Sequence, residues 1–140
     1  MLEETEVPPE PRSAEISITV SAAASRPHKR TTNNASARTL YCACDAKALV
    51  CLEPWSGTIM KRVELSGAPD AIFFNAERAH LYVAIGDPGL IDVVDTDEVK
   101  LIATVRTEGR AHTIGFDAER NKVYAFLPVT HRAAIYHDRG

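Results

Sequence analysis

Four residues carry the side chains from which a polar site is built: His28, Asp70, Arg110 and His112. A neutral imidazole binds a metal ion or takes a proton, and a carboxylate beside it fixes its orientation. His28, Asp70 and His112 are each 42 residues apart, with Arg110 just before the last. Such spacing sets them at matching places in successive copies of a repeat, where they would converge on one mouth and bind a ligand. The plainer reading is that they are loop residues bonded to neighbouring backbone, as turn Asp and His often are.

Other chemistry-bearing residues have plain readings. Cys42, Cys44 and Cys51 form a small, odd set that does not suit a disulfide framework. Cys42-x-Cys44 puts two sulfurs on one strand face, but a zinc site wants wider spacing and more ligands. Buried small apolar residues is the better reading. Ser56 and Ser66 lie beside glycines without a Gly-x-Ser-x-Gly elbow or a following helix, so both read as turn serines. Gly86-Asp87-Pro88-Gly89 joins two strands and lacks the helix start that a phosphate loop needs. His80, His131 and His137 share no metal-ligand spacing and read as surface residues. Trp55, at a hairpin tip, reads as packed on an adjacent unit, with an exposed contact anchor as the alternative.

The elements that position these residues come from an internal repeat. At a shift of 42, Phe74-Asn75-Ala76-Glu77-Arg78 falls on Phe116-Asp117-Ala118-Glu119-Arg120, and Leu81-Tyr82 falls on Val123-Tyr124. Leu52-Glu53 falls on Val94-Asp95, and Gly67 on Gly109. Asn34-Ala35 and Leu40-Tyr41 match Asn75-Ala76 and Leu81-Tyr82 at a shift of 41, so the second copy holds one extra residue, placed in the Gly86–Gly89 turn. Within one copy, 70–74, 80–85, 90–95 and 100–106 are strand-like runs joined by short polar turns. No segment has helical periodicity or caps.

Each copy is thus an antiparallel four-stranded meander. Leu90-Ile91 and Val93-Val94 put apolar groups on both strand faces, so each small sheet must be covered on two sides. Sheets stacked around an axis achieve this. The expected fold is all-β, a partial β-propeller of four-stranded antiparallel blades. The blades run over about 28–66, 67–109 and 110–137, after a disordered segment 1–14. The last copy lacks its outer strand. Residues 15–20 alternate as a stray strand that would pair with an exposed blade edge, whereas the polar run His28–Thr32 is a degraded inner strand. Material for about two and a half to three blades does not close a ring of the usual size. The chain is then a truncated remnant, half of a six-bladed homodimer, or an open arc.

Leu81-Tyr82-Val83-Ala84, Ile91-Asp92-Val93-Val94-Asp95-Thr96 and Leu101-Ile102-Ala103-Thr104-Val105 resemble the YVTN repeat of YncE-like propellers. Val123-Tyr124-Ala125-Phe126 and Leu40-Tyr41-Cys42-Ala43 look like weaker copies, and Ala111–Asp117 resembles a motif of the later blades. The resemblance covers the chain from about Asn34 onward and implies a propeller; it is poor in function, because the family hosts binding proteins and several kinds of enzyme.

The functional expectation is a non-catalytic binding or scaffold module for a protein or small-molecule ligand, with no cofactor. The alternatives are a lactonase-like or metal-assisted hydrolase and a redox-associated subunit, the last weakened by the lack of a Cys-x-x-Cys-His site. A net charge of −3 provides no basic field for nucleic acid, and no apolar run is long enough to span a bilayer. Met1–Pro11 is acidic and Pro-rich, without a secretory pattern, which reads as cytoplasmic, although the family resembled is often periplasmic or secreted.

Overall fold

A computed structural model describes residues 39–140 and the backbone of residues 19–23. Among these residues there is no helix, and eleven strands form three antiparallel sheets. The first sheet is β1 (Thr19–Ala23), β2 (Thr39–Cys44), β3 (Ala48–Leu52) and β4 (Ile59–Glu64), in chain order. The second is β5 (Ala71–Asn75), β6 (His80–Ile85), β7 (Leu90–Asp95) and β8 (Lys100–Arg106). The third holds β9 (Ile114–Asp117), β10 (Lys122–Leu127) and β11 (Arg132–His137). The last three strands of the second blade match the strand-like runs expected at 80–85, 90–95 and 100–106.

Each blade repeats the same local chemistry. Asn75, Asp95 and Asp117 close strands and accept the amides two and three residues on through their side-chain oxygens, which tightens the following turn. Each four-residue turn then ends in a left-handed residue, as at Ala79 and Asn121, 42 apart. Lys47, Gly89 and His131 hold the same conformation at the same spacing. The register shift between Cys51 and Leu52 recurs between Val93 and Val94. Cys44 pairs with Ala48 around three turn residues, whereas Ile85 pairs with Leu90 around four. The extra residue of the second copy therefore lies in the Gly86–Gly89 turn.

β1 pairs antiparallel with β2, Thr19 opposite Ala43, and takes the first-strand place of the first blade. The strand expected over 15–20 overlaps it at Thr19 and Val20. Residues 15–18, the segment 1–14, the polar run 28–32 and His28 lie outside the described residues.

Side chains alternate across each sheet, and both faces of the central blade are apolar. Leu81, Val83, Ile85 and Val94 pack with Tyr41, Leu49, Cys51 and Val63 of the first blade. From the opposite face, Tyr82, Ala84 and Ile91 pack with Ile114, Val123 and Ala125 of the third. The rings of Tyr82 and Phe116 meet at 5.3 Å, tilted by 49°. All six residues of β6 are consequently buried. The blades are splayed about their first strands: β5 touches both β1 and β9, while β4 touches β8.

One buried charge ties the first two blades together. Asp92 is fully buried on β7. Its Oδ2 accepts the Ser66 amide at 2.7 Å, and its Oδ1 accepts the hydroxyls of Ser66 at 2.9 Å and Thr104 at 2.7 Å. Ser66 lies on the link between β4 and β5, so it is an anchor as well as a turn serine.

Cys42 and Cys51 are buried, Cys44 is half-buried, and all three are free thiols. Burial pushes the Cys51 thiol from 9.0 up to about 11, against the nearby Lys61 ammonium, with Cys42 adding to the rise. The neutral thiol is the form the fold accepts. Its contribution is complete below the unfolded value near 9 and is lost as pH rises to about 11. The stability gap between the native chain and Cys51→Ala should accordingly shrink by on the order of 2 kcal/mol between pH 8 and pH 11. Urea midpoints at the two pH values measure this; a gap that stays constant contradicts it.

Candidate functional site

Asp70 stands immediately before β5, and His112 two residues before β9, at the same end of the first strands of their blades. The turn at the end of β6 brings them together. The Asp70 amide donates to Ala84 O at 2.9 Å, holding the residue beside β6. Asp70 Oδ2 accepts the Gly86 amide at 2.6 Å, and the Arg110 amide donates to Gly86 O at 2.6 Å. The His112 amide in turn donates to Arg110 O at 2.9 Å. Both backbone groups of Gly86 are thus used to join the entrance of one blade to that of the next.

Gly86 is also a spatial requirement. A Cβ there would lie 2.9 Å from His112 Cβ and 3.0 Å from Asp70 Oδ2. The missing side chain is what lets the Asp70 carboxylate and the Cβ of His112 approach one point from neighbouring blades. Asp70, Arg110 and His112 are all exposed, so their polar ends face solvent at this mouth. His112 Nδ1 lies 3.4 Å from Thr113 Oγ1. Arg110 has φ of 69°, a left-handed conformation costly for a residue with a Cβ. Its counterpart in the previous copy, Ala68, does not share that conformation. His28, grouped with them by its spacing, lies outside the described residues, and the first-strand place of the first blade is held by β1. The plainer reading also has its expression here, since Asp70 bonds a backbone amide.

A second polar group escaped the sequence reading. His80 is buried, not a surface residue. The chain after β11 folds over it, and His80 Nδ1 lies 2.6 Å from Asp138 Oδ2. The same oxygen accepts the Tyr82 hydroxyl at 2.5 Å, and that hydroxyl accepts Asn75 Nδ2 at 2.8 Å. Asn75 Nδ2 also reaches Asn121 Oδ1 at 2.8 Å. Burial works against ionising Asp138, but the bonds from Tyr82, the Gly140 amide and His80 outweigh it and hold its carboxyl below the usual range. Burial pushes the Tyr82 phenol well above its own range, opposed by the Asn75 amide and reinforced by Asp138. The group is a pin between blades. Tyr41, one copy earlier, donates to Thr96 O at 3.2 Å, and Thr96 and Asp138 are 42 apart. The signal in sequence was the repeated Tyr with a polar residue at the matching place of the next copy.

Trp55 is 85% exposed rather than packed on the adjacent blade. The Glu53 carboxylate accepts the amides of Trp55 at 3.1 Å and Ser56 at 2.6 Å, which turns the loop outward before the indole can reach a neighbour. His131 and His137 are exposed. Among the described residues, no cluster of three or more His, Cys, Asp or Glu is arranged to hold a metal ion. No helix of the described residues is long and apolar enough to cross a membrane.

Stacked antiparallel blades splayed from their first strands, with a polar mouth at one end, define the class: an all-β partial propeller. No family model matches the sequence, and no curated protein matches it. Among solved structures the chain is similar to Kuenenia stuttgartiensis hydrazine synthase, a propeller-containing protein, with a TM-score of 0.59 and 16% identity. The match covers 66% of this chain and 26% of that one, so the chain spans about a quarter of the structure it resembles. The likeness carries the fold.

Proposed function

We propose that this partial propeller is a binding module of the YVTN-repeat kind. Its ligand docks on the mouth formed by Asp70, Arg110 and His112. The observation that carries this reading is Gly86, whose amide donates to Asp70, whose carbonyl accepts the Arg110 amide, and whose missing side chain leaves room for His112. Left-handed strain at Arg110 supports it, since such strain gathers where a side chain is aimed for use. A guanidinium, a carboxylate and an imidazole carried by these three residues would suit a small polar ligand or peptide end with both an anionic group and a hydrogen-bond donor. YVTN-type repeats read in the three tyrosine-bearing strands agree with a propeller fold.

The test is an NMR titration of the full chain with a panel of amino acids and small carboxylates. The expected result is saturable shifts centred on the Gly86 amide and the His112 ring. Arg110→Ala and His112→Ala should each weaken binding by about tenfold, the size of one charge-assisted contact. A bound panel member that ignores both substitutions, or shifts centred away from Gly86, defeats the reading.

A further inference from the structure

The two blade interfaces differ at one matched place. In the first, Lys61 pairs with Cys51, whose side chain packs toward the second blade, and residues directly opposite in a sheet share a face. The Lys61 ammonium crosses the interface and donates to Glu98 O at 2.5 Å, on the turn between β7 and β8. In the second interface Ala103 pairs with Val93 in the same register. Ala103 thus stands where Lys61 stands, 42 residues on, and carries no stem to cross the gap.

The facing wall changes as well. Thr96 and Asp138 hold one place in successive blades, since the Thr96 amide donates to Ala79 O and the Asp138 amide to Asn121 O. A neutral hydroxyl is replaced there by a carboxylate. One wall has lost a cation while the other has gained an anion. Between them lies a cleft of about 330 Å³, lined by Val93, Ala103 and Val105 of the second blade and Val123, Tyr136 and Asp138 of the third. Gly140, the match of Glu98, lines it too. His80, Tyr82 and the Gly140 amide fix the Asp138 carboxylate with three bonds. An ionised carboxylate offers about four lone-pair sites, so one acceptor position is left. The other charged or titratable side chains at the cleft are His137 and Arg139, both exposed and screened by water, and His80, whose Nδ1 is already bonded to Asp138.

We propose that the cleft between the second and third blades binds a small primary alkylammonium, the free equivalent of the lysine side chain that the first interface carries within the chain. The ammonium meets Asp138, and a straight stem of about four carbons lies along Val93, Val105 and Val123, as lysine stems lie on apolar surface.

The probe is n-butylammonium chloride, titrated into the isotope-labelled full chain at neutral pH. The expected result is saturable shifts at Ala103, Val123 and the Tyr136 ring, with roughly millimolar affinity for so few heavy atoms. 1-Butanol keeps the stem and drops the charge, so it should bind at least about tenfold more weakly. Asp138→Asn keeps the shape and removes the anion, and should weaken binding by about tenfold. Ala103→Lys places a lysine in the second interface as in the first and should abolish binding. Absence of saturation at about 100 mM ligand overturns the proposal, as do shifts centred on Gly86, which belong to the mouth. Equal affinity for 1-butanol, or undiminished binding by Asp138→Asn or by a folded Ala103→Lys chain, overturns it too. Should Ala103→Lys not fold, Asp138→Asn and the alcohol decide.

Discussion

Replacing Asp92 by Ala should lower the unfolding free energy by about 3 kcal/mol, the scale of losing a buried, hydrogen-bonded carboxylate. Asp92 is fully buried and accepts three donors, of which the Ser66 amide and hydroxyl belong to the link between two blades. The third, the Thr104 hydroxyl, comes from the outer strand of its own blade. Truncation frees that link and leaves the donors without their acceptor. Ser66→Ala removes one of the three donors and should cost about 1 kcal/mol. Asp92→Asn keeps the shape but turns an amide NH2 toward donors, so it should fall between the two. Denaturant midpoints at neutral pH rank the variants. An Asp92→Ala chain within about 1 kcal/mol of the native one would mean that water replaces the carboxylate and the link needs no anchor.

The second large effect is Leu81→Ala, for which about 3 kcal/mol is expected, within the usual range for a Leu-to-Ala cavity. Leu81 has no exposed surface and sits on the central strand β6, facing Tyr41 and Leu49 of the first blade. β6 is sandwiched, so neither neighbouring sheet collapses into the gap without losing its packing elsewhere. The comparison that isolates this cause is Leu101→Ala on the outer strand β8. Leu101 is 38% exposed and should cost well under half as much. Equal losses at the two sites would mean that the blade interface contributes no more than the surface. Asp92 and Leu81 together probe whether the blades unfold as one cooperative unit, because both act across the same boundary.

Much of the fold was legible from sequence because it is repeated. A four-strand unit with apolar side chains on both faces leaves no stable alternative to stacking, and the match of Phe74–Arg78 to Phe116–Arg120 sets the strand boundaries twice over. The turns were legible for the same reason: Asn75, Asp95 and Asp117 end strands and cap the next amides whatever the tertiary setting. His80 and Trp55 were misread because local pattern says nothing of what later chain covers. His80 is a polar residue at a strand start, and its burial depends on Asp138, 58 residues on. Trp55 is a large apolar residue that the Glu53 turn carries away from every neighbour.

The candidate site divides along the same line. Asp70 and His112 could be grouped from their spacing, since residues one period apart occupy equivalent places in a stacked repeat. Gly86 could not, because its role is to be the point where two entrances meet, and that closeness exists only once β6 is sandwiched between blades. Spacing in the chain carries equivalence, an angular relation between copies. Distances of 2.6 Å and a forbidden Cβ arise from packing. In this protein the number, order and two-sided apolarity of the strands were therefore written in local pattern and periodicity. The polar pin at His80, Tyr82 and Asp138, the anchoring of Asp92 and the mouth around Gly86 were decided by which surfaces came to lie against each other.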